Sequence, residues 1–89
     1  MRVRVRVYGA VQGVGFRYFV REVAQASQLK GWVRNMEDGS VEALLEGAKE
    51  DVNYAVEMCR RGPPSAKVTR FESKPEDESS QLSGFRIAF

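Results

Sequence analysis

The chain has 89 residues, a net charge of +2 and 43% hydrophobic residues, which describes one small globular domain near the lower size for a stable single core. It has no histidine, which removes His-based triads, His general bases and most catalytic zinc sites, and its single cysteine, Cys59, rules out an internal disulfide. No apolar run approaches the ~18 residues of a membrane span, the N-terminus lacks a signal-peptide core, and the slight charge does not suit a nucleic-acid binder; a reducing, cytoplasmic setting is the simplest expectation.

Residues 2–8, Arg-Val-Arg-Val-Arg-Val-Tyr, alternate strictly and predict a half-buried strand. Val3, Val5 and Val7 are expected to face a core, with Arg2, Arg4, Arg6 and Tyr8 on a solvated sheet face. A sheet with one wet face is usually antiparallel.

Gly9, Gly13 and Gly15 then punctuate a turn, and a helix follows with apolar residues at Phe16, Phe19, Val20, Val23 and Ala24. It is expected to end near Gln28, where no glycine stands to take a left-handed cap. A short strand over 31–35 leads through Glu37-Asp38-Gly39-Ser40, an Asp-Gly hairpin turn, into a return strand over 41–46.

A second helix is predicted from Ala48 to Arg61, with Val52, Ala55, Val56 and Cys59 inward; Gly62-Pro63-Pro64 stops it. A strand over 66–73, a polar acidic loop over 75–80 and a closing strand over 84–89, with Phe85, Ile87 and Phe89 on one face, complete the chain. The order is β-α-β-β-α-β with a short final strand. That order predicts the α+β class: a ferredoxin-like split β-α-β two-layer sandwich, an antiparallel sheet with two helices on one face, over residues 1–89.

The glycine turn is the first candidate site. A glycine-rich turn that opens a helix aims backbone N–H groups at one spot, and that spot suits an anion. Arg17 lies in the first turn of the same helix and can reach it. A phosphate-binding Walker loop would need Gly-Lys-Ser/Thr, but Phe16-Arg17 follows Gly15; a dinucleotide fingerprint would need a third glycine where Tyr18 stands. A Cys-x5-Arg phosphatase loop from Cys59 would need arginine at 65, where Ser65 is found. From spacing alone, Asn35 simply ends a strand and Trp32 is a packing residue.

Two longer stretches carry a resemblance. Gly9-Ala10-Val11-Gln12-Gly13-Val14-Gly15-Phe16-Arg17 resembles the first signature of the acylphosphatase family, and Gly31-Trp32-Val33-Arg34-Asn35-Met36-Glu37-Asp38-Gly39-Ser40-Val41-Glu42 resembles the second. They stand in the family's order and separation, and the likeness extends over essentially the whole chain. It implies hydrolysis of the carboxyl–phosphate bond of small-molecule acyl phosphates, without metal, other cofactor or covalent phosphoenzyme.

By the same resemblance, the amides of Gln12, Gly13, Val14, Gly15 and Phe16, together with Arg17, hold the phosphate, and Asn35 positions the attacking water. Inorganic phosphate is then the product and an expected inhibitor. A monomer is the default for so small a domain, with neither nucleic acid nor membrane as partner. Two rival readings are a ferredoxin-like RNA-binding sheet and a non-catalytic phosphate-binding domain of a larger enzyme. The first needs stacking aromatics on the open sheet face, whereas those of 16–20 fall on a helix. The second is disfavoured because the likeness begins and ends with the chain.

Overall fold

A computed structural model describes all 89 residues. Seven elements follow in order: β1 (Arg2–Ala10), α1 (Phe16–Ala26), β2 (Lys30–Asn35), β3 (Val41–Glu46), α2 (Lys49–Arg61), β4 (Lys67–Pro75) and β5 (Phe85–Ala88). They build one five-stranded sheet in the order β4-β1-β3-β2-β5. The alternating valines of β1 face the helices and pair with like residues of β3, Val3 beside Leu45, Val5 beside Ala43 and Val7 beside Val41. Phe16, Val20 and Ala24 from α1 and Val52, Ala55 and Cys59 from α2 close the core over them. Burying each such valine or larger side chain contributes about 1.5–3 kcal/mol.

The layer architecture is the expected one, with three corrections. First, the sheet is mixed: β5 runs parallel to β2, Gly31 beside Phe85 and Arg34 beside Ala88, while every other pair is antiparallel. A two-residue hairpin is not available between β2 and β5, which two strands and a helix separate, so β5 docks on the free edge of β2 in the direction the chain arrives.

Second, α1 ends at Ala26. The Gln28 N–H donates to the Gln25 carbonyl at 3.1 Å and the Leu29 N–H to the Ala24 carbonyl at 2.8 Å. Gln28 has φ +56°, so this is a Schellman stop with glutamine in the left-handed position, and Leu29 and Ala24 on either side of it are both buried.

Third, the arginine face of β1 is not simply solvated. Arg2 is 4% exposed. Its guanidinium meets Glu46 at 2.7 Å, the Asp77 carbonyl, and the Ser80 hydroxyl and carbonyl. The acidic loop folds back over it, and Glu76 takes Arg4 in a two-point pair at 2.6 and 2.7 Å. A buried cation is tolerated only with this many acceptors.

The sheet order positions the site. Both β1 and β2 are antiparallel to β3, which lies between them, so β1 and β2 are parallel to each other and their carboxyl ends share one edge. Val7, Val41 and Asn35 lie in one row across the three strands. The loop after β1 therefore starts beside the end of β2.

Candidate active site

The loop between β1 and α1 is short because β1 runs through Gly9 and Ala10, with a register shift at Tyr8/Gly9 where it pairs with β4. Gly13 and Gly15 take φ +74° and +79°, the left-handed region that disfavours side chains. A Cβ at either would meet nothing within 4 Å, so the backbone there borders open space rather than packed atoms.

Gly15 is the N-cap of α1, and no side chain caps that end. None of the N–H groups of Gly13 to Tyr18 donates to an acceptor of the chain; the first helical bond runs from Phe19 to the Gly15 carbonyl at 3.0 Å. Uncapped first-turn amides at the positive end of a helix dipole form a binding site for an anion.

Val11, Gly13, Gly15, Phe16, Arg17, Tyr18 and Asn35 line a pocket of about 160 Å³ at this point. Small-molecule sites usually run to about 300–1,000 Å³, so this one fits the phosphoryl end of a ligand and leaves the remainder outside. Larger hollows, of about 410 and 420 Å³, lie elsewhere, the first over Arg4, Arg6, Glu42, Glu72 and Lys74 and the second beside Trp32 and Arg86. In the first, Arg4 and Arg6 are already paired with Glu42.

Arg17 makes no ion pair, and its guanidinium lies 4.9 Å from the Phe89 ring centroid in a cation–π contact. Phe89, expected on one face with Phe85 and Ile87, is 96% exposed, because β5 ends at Ala88 and Phe89 lies past the last residue pair with β2.

Asn35 reaches the pocket from the helix side of the sheet, since it alternates with Arg34, which pairs with Glu42 at 2.8 Å on the other face. Its Oδ1 is buried and accepts no hydrogen bond from the chain. Buried polar atoms are nearly always paired, so an acceptor that the chain leaves without a partner in a pocket wall is open to a water or a ligand.

Of the residues expected to contact phosphate, Gly13, Gly15, Phe16 and Arg17 line the pocket with Asn35, whereas Gln12 and Val14 do not. The Phe16 ring is buried in the core, edge-on to Phe19, so only its backbone serves the loop. The Val14 carbonyl accepts from the Ser65 hydroxyl at 2.7 Å, and the Gln12 side chain reaches the β2–β3 turn. Val11 and Tyr18 were not anticipated in the lining, nor Ser65 as a tether; Val11 and Tyr18 lie within and beside the glycine signature, but nothing in the sequence marks Ser65.

Asp38 shapes the turn as expected. Its Oδ1 accepts from the Ser40 hydroxyl at 2.5 Å and the Ser40 N–H at 2.9 Å, and these bonds hold its carboxyl below the usual carboxylate range. Burial pushes the Cys59 thiol up to about 12, which makes it an inert core residue.

The sequence pattern of the acylphosphatase family matches residues 3–87. The chain belongs to the acylphosphatase family. Among curated relatives, the acylphosphatase of Thermococcus kodakarensis is 46% identical over 87 residues, 98% of this chain and 94% of the relative. The crystal structure of the acylphosphatase from Bacillus subtilis superposes with a TM-score of 0.93 at 40% identity, over 99% of this chain and 98% of that one. The same fold also occurs inside a larger protein: HypF of T. kodakarensis matches at TM-score 0.84 and 33% identity, over 100% of this chain but 12% of that one. Full-length agreement with free-standing acylphosphatases makes acyl-phosphate hydrolysis the activity of this chain, a hydrolase acting on acid anhydrides.

Proposed function

We propose that the loop amides of residues 12–16 and Arg17 bind the phosphoryl group while Asn35 holds the attacking water, so that residues 1–89 act as one metal-independent catalytic domain. The observation that carries this reading is the Asn35 Oδ1, a buried acceptor that no group of the chain satisfies, on a residue lining the same pocket as Gly13, Gly15 and Arg17.

The chemistry then follows from position and charge. Phosphoryl transfer needs alignment and electrostatic stabilisation more than covalent help. The planar Arg17 fork binds two phosphate oxygens and the amides take the others. Fixed donors of this kind are each worth about 2.7–4 kcal/mol in the transition state. Asn35 accepts from water through its carbonyl and is too weak a base to remove a proton. The water oxygen bonds to phosphorus as the phosphorus–oxygen bond to the acyl group breaks. The carboxylate leaves with the electron pair, and the water proton passes to a phosphate oxygen of the substrate. No histidine is needed, because the anhydride already carries a good leaving group.

The small pocket, with the acyl end outside it, supports a broad acyl preference and competitive inhibition by inorganic phosphate. A monomer in a reducing, cytoplasmic compartment is the accompanying proposal, supported by a single buried thiol and by a chain with no helix long and apolar enough to cross a membrane.

The test is turnover of an aromatic acyl phosphate in excess chelator. Hydrolysis at the rate seen without chelator is expected; loss of activity on chelation would overturn the metal-independent reading.

A further inference from the structure

The phosphate loop and the strand end that carries Asn35 belong to different elements, and one side chain joins them. Gln12 stands between Val11 and Gly13. Its Nε2 donates to the Met36 carbonyl at 2.8 Å and to the Ser40 carbonyl at 2.9 Å. Both partners are carbonyl oxygens, so only the NH₂ of the amide can face them and its orientation is fixed by chemistry. No other hydrogen bond links residues 11–15 to residues 35–40.

Those two oxygens are the closing points of the β2–β3 turn. The Ser40 carbonyl also accepts from the Met36 N–H at 2.8 Å, and the Met36 carbonyl from the Gly39 N–H at 3.1 Å. Asp38 holds Ser40 by two further bonds, and Ser40 is buried. The turn is therefore rigid on its own, and Asn35 is the residue immediately before it. What the turn lacks from its own bonds is a fixed distance to the loop that holds the phosphate. Gln12 supplies that distance.

We propose that the Gln12 side chain is a positioning residue for catalysis: it clamps the anion-binding loop to the β2–β3 turn and so sets Asn35 against the bound phosphate. This rests on the reading that Asn35 holds the water. The Gln12 side chain does not line the pocket and is held by the β2–β3 turn, so its removal leaves the amides and Arg17 to bind phosphate as before. Alignment suffers instead. A displacement of about 1 Å between reacting groups costs about 100-fold in rate.

The experiment is a double-mutant cycle with Gln12→Met, which keeps the length of the side chain and removes its donors, and Asn35→Ala. Turnover of an acyl phosphate and inhibition by inorganic phosphate are measured for the four proteins. The expected result is a kcat roughly 10- to 100-fold lower for Gln12→Met, with the phosphate inhibition constant within about twofold of wild type. In the Asn35→Ala background the same substitution then costs about twofold or less, because residues that act as a unit are not additive.

An unchanged kcat in folded Gln12→Met, with only a lower Tm, overturns the proposal and leaves Gln12 a structural tether. A full loss that repeats undiminished in the Asn35→Ala background overturns it while the role of Asn35 stands. An Asn35→Ala enzyme with wild-type turnover overturns both. If Gln12→Met does not fold, Gln12→Asn, which keeps the amide one methylene short, is read in the same cycle with the same criteria.

Discussion

Arg17 illustrates what one side chain must do that its neighbours do not. Arg2, Arg4, Arg6 and Arg34 all spend their guanidinium groups on carboxylates, whereas Arg17 faces a pocket with none and rests on the Phe89 ring. Its fork is thus free for two phosphate oxygens at once, a geometry that an ammonium cannot reproduce. Arg17→Lys is expected to lower kcat by about 100-fold or more, measured by loss of the anhydride; near-normal rates would remove Arg17 from the mechanism.

At this scale the sequence is least informative on its own. Arg17 follows a glycine turn and could be picked out from spacing, but Asn35 looks like a strand end and needed the second signature. The Gln12 bonds end on backbone carbonyls, which leave no trace in residue identity. Alternation put Phe89 on one face with Phe85 and Ile87, but it does not say where the partner strand runs out, and past that point the ring is exposed.

Elements were more legible. Strict alternation in β1 placed Val3, Val5 and Val7 correctly, and the 3.6-residue spacing of α1 and α2 found the buried Phe16, Val20, Ala24, Val52, Ala55 and Cys59. The end of α1 was read two residues late because the left-handed position is filled by glutamine rather than glycine. That choice carries a cost, since a side chain in the left-handed region loses about 1–2 kcal/mol, while glycine gives back part of the gain in chain entropy. Gln28→Gly is expected to stabilise the fold by about 0.5–1 kcal/mol, which for a domain of this size raises Tm by about 2–8 °C. A thermal melt with no gain would mean that the Gln28 side chain offsets its own strain.

Across the whole molecule, charge on the open sheet face is organised around Glu42, whose side chain is 7% exposed. Arg4, Arg6 and Arg34 converge on it from both neighbouring strands. Burial alone would push the Glu42 carboxyl up; the Arg34 hydrogen bond and the charges of Arg4 and Arg34 outweigh that and hold it below the usual range. A carboxyl depressed in the folded state takes up its proton more readily when unfolded. Its stabilisation is complete above the unfolded value of about 4.3 and is lost as pH falls through the folded value.

Glu42→Gln is therefore expected to cost at most about 1.5–3 kcal/mol at pH 7, the range for hydrogen bonds to a charged group, with partial relief because the arginines remain partly solvated. The gap from wild type in urea midpoint should narrow toward pH 3; a gap independent of pH would show that packing, not charge, is what Glu42 supplies. None of this network was legible in the alternation of β1. The cover for Arg2 and the partner of Arg4 arrive from residues 76–80, at the far end of the chain.

The same sheet brings the two halves of the site together, because β3 between them makes β1 and β2 parallel and puts the phosphate loop and Asn35 at one edge. In the proposed mechanism they have different tasks: the loop and Arg17 bind the phosphate, and Asn35 holds the water. One comparison separates these tasks: turnover and inhibition by inorganic phosphate in Asn35→Ala, side by side with wild type. The prediction is a kcat lower by about 100-fold with an unchanged phosphate inhibition constant. Wild-type turnover, or equal losses in turnover and phosphate binding, would contradict it.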